Sequence, residues 1–340
     1  MTDNRSNRTA SQYAIKTAQR PGVTRDLPYG PDDLLWVANS STLVYGSNDA
    51  VLVDTFTSTE QNAELVDWVK SFDKNLTYIY ITHGHGDHFF GLKQLLDVFP
   101  NARAVGTRGT VEAAHVQGAS SYIESFWGKL FPGQIPEPLA FPEVLDRTEV
   151  ELEGHQLEVV EAGFTDTIDT TSLWVPDLRL IIAGDVAYND THLYTAETTT
   201  ETRDHWAQTD EKLATYKPAT VIAGHKKPDA PDKPTILAET AAYLRDFNRL
   251  DASTSTPEEL YGAMLDLYPR RANPARSGEA LNTPSPRPWP DRDRARNRAR
   301  ASIPDDRCDR HPCATEKCPG VARSRNCNGE ARSAAPRRRH

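Results

Sequence analysis

Apolar positions fall into short β-branched runs separated by turn residues, and these set the reading of the first half of the chain. Thr42-Leu-Val-Tyr-Gly46 and Val51-Leu-Val-Asp54 flank the turn-rich Ser47-Asn-Asp49, which predicts a hairpin. Over 59–72, Leu65, Val66, Trp68 and Val69 recur at roughly helical spacing, and Leu76-Thr-Tyr-Ile-Tyr-Ile81 then reads as a buried strand. A helix over 88–98 and a strand over 102–106 follow, so strands and helices alternate and a helix-covered sheet is expected. Residues 111–142 are less regular and suggest a loop or helical insertion over a cleft.

In the second half, 148–162 alternates around a central Glu-Gly-His and predicts another hairpin. Residues 172–175, 178–183 and 220–223 read as three more strands. The spans 235–250 and 257–268 carry apolar residues at helical spacing, and Thr256-Pro257-Glu-Glu is a sound start for the second helix.

Composition changes this picture at the C-terminus. The chain has 340 residues, 38% of them hydrophobic, and a formal net charge of −9, but residues 277–340 hold 15 Lys+Arg against 8 Asp+Glu, leaving 24 against 40 in residues 1–276. The acidic part repels phosphate backbones, so nucleic-acid binding by it is not expected. The tail lacks Phe, Tyr and Met and cannot bury enough surface to offset its ordering entropy, so 277–340 reads as disordered. The abrupt change at 273–278 suggests that the tail is an out-of-frame or alternatively spliced reading. All four cysteines (Cys308, Cys313, Cys318, Cys327) lie there, without the C-x2-C knuckles of a zinc site, and the core depends on no disulfide. No stretch reaches the roughly 18 apolar residues of a membrane helix, and the polar start has no apolar segment of a secretory signal, so a cytoplasmic protein is expected. Residues 1–24 read as a polar, largely flexible segment and 25–270 as the folded domain.

The candidate chemistry sits in Tyr80-Ile-Thr-His83-Gly-His85-Gly-Asp87-His88, where three histidines and a carboxylate fall within six residues directly after a strand. Glycines there allow tight turns that aim several ligands at one point. Ile181-Ile-Ala-Gly-Asp185 and Val221-Ile-Ala-Gly-His225 each place one further ligand type at the end of an apolar strand, where sheets display functional groups.

Together, H-x-H-x-D-H, the later Gly-Asp and the still later Gly-His strongly resemble the metallo-β-lactamase-fold superfamily over about 25–270, and the aspartate in place of a cysteine is more similar to its glyoxalase II and lactonase branches. The resemblance implies an α+β fold, a four-layer αβ/βα sandwich of two face-to-face sheets covered by helices, with C-terminal helices following. It implies one or two zinc ions (Zn2+): His83 and His85 on the first, Asp87, His88 and His225 on the second, and Asp185 bridging. It further implies a hydrolase that opens or cleaves a small lactone, lactam, ester or thioester with hydroxide generated at the metal, ring opening of a lactone or lactam being the favoured reaction. Asp87 would orient the nucleophile and pass its proton on. Tyr194, or Tyr188, would hydrogen-bond the oxyanion. Tyr122, Phe126, Trp127 and Phe131, with Phe89 and Phe90, would wall the substrate site.

One position departs from the pattern. In the family a third histidine for the first metal sits in a Gly-His-Thr turn, and the matching residue here is Phe164. Three outcomes stay open: Asp166, His192 or His205 substitutes as ligand, a single zinc suffices at the second site, or catalysis is impaired. The competing function is a metal-poor, non-enzymatic binding relative, and a redox role with iron is a third. His115 and His155 read as structural. The partner is a small molecule, and the oligomeric state is open.

Overall fold

The computed structural model describes residues 11–20 and 36–273. The basic tail with its cysteines and its expected disorder lies outside the described residues. The polar start departs from expectation: β1 (Gln12–Arg20) pairs antiparallel along β2 (Trp36–Tyr45), so the sheet begins before residue 25. Its alternation is weak because it is only half-buried, with Lys16 facing Glu64 at 3.3 Å.

The expected hairpin is β2 with β3 (Asp49–Val53). Then come α1 (Thr59–Lys70), opened by a Ser58/Gln61 capping box, and β4 (Asn75–Tyr80) parallel to β3. The single helix expected over 88–98 is two, α2 (Gly86–Phe89) and α3 (Leu92–Val98), because Gly91 caps the second. After β5 (Arg103–Gly106) the irregular region is a helical insertion: α4 (Arg108–Gln117), α5 (Ser120–Tyr122), a π-helical turn over Ile123–Trp127 and α6 (Gly128–Leu130). Strand β6 (Glu143–Val144) closes this half. The second half holds the hairpin β7 (Glu149–Leu152) and β8 (His155–Gly163), then β9 (Thr170–Val175), β10 (Leu180–Asn189) and β11 (Thr220–Lys226). Between the last two lies α7 (Thr200–Ala214), and α8 (Thr235–Asp251) and α9 (Pro257–Leu267) follow. The sequence reading missed α7 because its buried face mixes Trp206, Ala207 and Leu213 with Arg203, Thr209 and Asp210, which blurs the apolar period.

The strands run in the order β6-β5-β4-β3-β2-β11-β10-β9-β8-β7, with β1 on β2. A single registered pair, His225 with Asn39, joins the two halves between β11 and β2. The period of two along each strand then builds the layers. Val51 and Val53 of β3 face Leu180 and Ile182 of β10 in a core between the halves. The alternate residue Leu52 packs outward with Leu65 and Val69 of α1, and Ile181 and Ala183 pack outward with Leu213 of α7 and Ile236 of α8. Helix, sheet, sheet, helix is the expected four-layer α+β sandwich. Strands covered on both faces read as continuous apolar runs, which is why they were visible in the sequence. The functional motifs lie at the ends of β4, β10 and β11. No helix among the described residues is long and apolar enough to cross a membrane.

Candidate metal centre

Three strand ends meet at one buried point. The turn after β4 carries His83 and His85, α2 carries Asp87 and His88, and β10 and β11 bring Asp185 and His225. Two glycines permit this approach. Gly184 has φ +55, and a Cβ on it would lie 2.6 Å from Thr82 Oγ1. A Cβ on Gly224 would lie 2.2 Å from Asp185 Oδ1, so the Gly-Asp and Gly-His pairs of the sequence are steric requirements of the meeting strands.

Each histidine has its outer nitrogen occupied, which fixes the atom it presents inward. Asp54, held at φ 60, accepts from Thr82 N and Thr82 Oγ1, both at 2.8 Å. The Thr82 hydroxyl hydrogen is thereby used, so His83 Nδ1 donates to Thr82 Oγ1 at 3.0 Å and Nε2 is the free basic atom. His88 Nδ1 donates to Asp54 Oδ2 at 3.1 Å, and His225 Nδ1 lies 3.4 Å from the Ala38 carbonyl. His85 Nε2 meets Glu197 Oε1 at 3.2 Å, and Thr167 Oγ1 donates to the other Glu197 oxygen at 2.7 Å.

The inward atoms form two groups of possible metal ligands, His83, His85, Asp166 and Asp185 in one and Asp87, His88 and His225 in the other. In the first, Asp166 Oδ2 lies 3.1 Å from His85 Nδ1 and 3.9 Å from His83 Nε2, and Asp185 Oδ2 is also 3.9 Å from His83 Nε2. In the second, His225 Nε2 lies 3.4 Å from Asp87 Oδ2, and Asn39 Nδ2 donates to that oxygen at 3.1 Å. Asp185 reaches this group too, with Oδ1 3.4 Å from His88 Nε2 and Oδ2 3.0 Å from His225 Nε2. Apart from these contacts within the cluster, buried His83 Nε2, His88 Nε2, Asp166 Oδ2 and Asp185 Oδ1 have no hydrogen-bond partner. An unsatisfied buried polar atom costs about 1–3 kcal/mol, and four converging on one point fit a cation that accepts all of them.

The electrostatics agree. Burial, reinforced by neighbouring His88, holds His83 well below the usual histidine range, which keeps it a neutral ligand. Burial opposes charge on His88 and His85 as well, yet Asp185, Asp87 and Asp54 raise the first, and Glu197 and Asp166 raise the second. Asp185 is driven well down by His225 and His88 against its burial, whereas burial and Asp185 push Asp166 up. Carboxylates this deep require positive charge beside them.

The sequence-derived residues His83, His85, Asp87, His88, Asp185 and His225 are therefore all brought together. Of the three candidates to replace the histidine missing at Phe164, Asp166 alone joins the cluster. His192 Nδ1 pairs with the Tyr243 hydroxyl at 2.9 Å, and His205 Nδ1 lies 3.3 Å from the Phe164 carbonyl on the surface. Tyr188 is fully buried and donates to Asp185 Oδ2 at 2.9 Å, so its hydroxyl is committed to Asp185 and not offered to substrate. Tyr194 lies edge-on to His85 with ring centroids 5.9 Å apart. Of the expected aromatic wall, Phe89, Phe90, Trp127 and Phe131 are fully or almost fully buried core residues, whereas Tyr122 and Phe126 are partly buried, with Tyr122 near enough to Glu197 to feel its charge. Asp54, Glu197 and Asn39 were missed. Asp54 ends an apolar strand in the manner of Asp185, a signal that was available. Glu197 and Asn39 stand in no motif. His115 stacks on Phe141, and His155 pairs with Asp177, both away from the cluster.

Solved structures with the same fold include a metallo-beta-lactamase from Pontibacter korlensis, with TM-score 0.52 and 18% identity over 72% of this chain and 98% of that one. A metallo-beta-lactamase family protein from Thermus thermophilus gives TM-score 0.54 and 19% identity over 78% of this chain and 90% of that one. In sequence, a hydroxyacylglutathione hydrolase of Francisella philomiragia is 36% identical over 73 residues, 20% of this chain and 27% of that protein. The match thus spans about a quarter of that relative's length. The profile of the metallo-beta-lactamase superfamily matches residues 34–225, more than half of the chain and the whole span from β2 to His225. The chain belongs to the metallo-β-lactamase superfamily.

Proposed function

We propose that this protein is a metal-dependent hydrolase that cleaves a small thioester, ester, lactone or lactam. The observation that carries the reading is the convergence of four inward imidazole nitrogens on three buried carboxylates, with four of the converging atoms lacking a hydrogen-bond partner outside the cluster. Asp87, His88 and His225 would hold zinc, and His83 and His85 would hold a second divalent ion, with Asp185 reaching both. A cation bound there supplies Lewis acidity toward a carbonyl oxygen and lowers the pKa of a coordinated water to about 7.

The chain's own residues then divide the work. Asp54, Glu197 and the Ala38 carbonyl orient the imidazoles, which removes reorganisation from the catalytic cycle. Asp87, anchored through one oxygen by Asn39, would orient the attacking water and carry its proton toward the leaving group. Tyr194, beside His85, the most exposed of the clustered histidines at 8%, would donate a hydrogen bond to the substrate oxyanion. The partial match to a hydroxyacylglutathione hydrolase supports the thioester member of this substrate class.

The test is a hydrolysis panel of homoserine lactones, simple lactams, aryl esters and S-acyl thioesters with the purified, metal-loaded full chain. Turnover of at least one class, lost on chelation and restored by divalent metal, is expected. A fully metallated protein inert toward every class would overturn the reading.

A further inference from the structure

The first half of the centre has lost a histidine, and the loop that carries Phe164 returns a different donor two residues later. Thr165 N donates to the Thr167 carbonyl at 2.9 Å, and Thr170 Oγ1 donates to the Gly163 carbonyl at 3.1 Å, so the turn over 163–170 is closed on itself. Within it the Thr165 hydroxyl reaches Asp166 Oδ1 at 3.0 Å. That leaves Oδ2 fully buried, without a partner in its own loop and facing the two inward nitrogens His83 Nε2 at 3.9 Å and His85 Nδ1 at 3.1 Å. His85 has no choice of nitrogen, because Glu197 takes the other one.

We propose that Asp166 is the replacement ligand, and that it makes the first position a two-histidine, two-carboxylate site more open to oxygen-seeking divalent metals such as manganese than the three-imidazole set it replaces. The inference rests on the metal centre proposed above and adds its selectivity. Its warrant is the donor set. Imidazole favours zinc, whereas carboxylate favours manganese and its like. The first position offers His83 and His85 with the carboxylates of Asp166 and Asp185, and the second has His88 and His225 with Asp87 and a share of Asp185, so the two are alike in donor kind and the contrast is with a set of three imidazoles. Exchanging one imidazole for one carboxylate also adds a negative charge in a buried setting, which deepens the preference for a hard cation over the family's usual histidine set. Zinc still binds manganese-competent sites more tightly in absolute terms, so the effect is on the ratio of affinities and not on its sign.

The experiment is a zinc-against-manganese competition on chelator-stripped full-length protein, with bound manganese read by electron paramagnetic resonance and total metal by elemental mass spectrometry. Wild type, Asp166→His, Asp166→Asn and His225→Ala are compared. In wild type the expected result is two metal positions that both admit manganese, and the first of them persists in His225→Ala. Asp166→His should raise the zinc-over-manganese ratio there by about 10–100-fold, the scale on which supporting groups tune metal affinity, and leave the other position unchanged. Asp166→Asn should lose the metal of that position, and it decides the matter if the histidine variant does not fold. Two filled positions whose ratios ignore both Asp166 substitutions would overturn this inference alone. No metal at either position in any variant would overturn it together with the metal centre itself.

Discussion

The two halves of the centre achieve the same convergence by different means. On one side Asp87, His88 and His225 come from a helix start and a strand end, and two of them are steadied by the backbone or by Asn39. On the other, His83 and His85 sit in a glycine-containing turn and are held from outside by side chains, Thr82 and Glu197, while Asp166 arrives on a separate closed loop. The difference lies in the holders: of the four histidines His225 alone meets a backbone carbonyl, while His83, His85 and His88 are each held by a side chain. At the place where the family carries an imidazole this chain has Phe164, and the carboxylate of Asp166, two residues further on, lies beside His83 and His85.

Asp185 is the residue common to both halves, so its removal is expected to have the largest effect. Asp185→Asn keeps the shape but removes the charge that His88 and His225 face. We expect metal content to fall at both positions and hydrolytic kcat/KM to drop by about a thousandfold, several kcal/mol of transition-state stabilisation. Metal analysis beside steady-state kinetics checks it, and unchanged metal content would break the idea of a shared ligand.

Asp54 links the halves from behind. It accepts from His88 directly and reaches His83 through Thr82. Asp54→Ala is expected to weaken metal binding by about 10–100-fold at both halves without removing a ligand. An isothermal titration in which only the His88 half weakens would show that the Thr82 relay carries nothing.

The smallest effect concerns stability away from the centre. Asp210 on α7 is fully buried with both oxygens unpartnered, and burial pushes its pKa well up. A carboxyl with a folded-state pKa above its unfolded value is protonated in the fold while the unfolded chain ionises, so stability is full below the unfolded value and falls as pH rises from there to the folded value. Asp210→Asn removes that loss and should stabilise the protein by about 1 kcal/mol at neutral pH, with the advantage vanishing under acid. Thermal melts across pH would contradict this if the variant gained nothing at pH 7.

Much of this was legible in the sequence because the informative signals were local. The strands covered on both faces read as apolar runs, and His83, His85, Asp87 and His88 lie within six residues of one another. Gly184 and Gly224 flagged their neighbours for a steric reason that the structure supplies. What escaped depended on distant contacts. Helix α7 hides its period behind a buried arginine and aspartate, β1 is a half-buried edge, and Glu197 acquires meaning only because it lies against a histidine 112 positions away. The choice among Asp166, His192 and His205 could not be made from spacing, since it turns on which loop folds inward. The aromatic residues misled for the opposite reason: their spacing is that of a core, and packing claimed Phe89, Phe90, Trp127 and Phe131 before any substrate could.

The central claim is that the buried histidine and carboxylate cluster holds divalent metal. It is tested most directly by elemental mass spectrometry of the full chain, purified without chelator and then dialysed against zinc and manganese. The account predicts two metal equivalents per chain, falling to one in His225→Ala. A folded protein that retains no metal and refuses both added ions would contradict it.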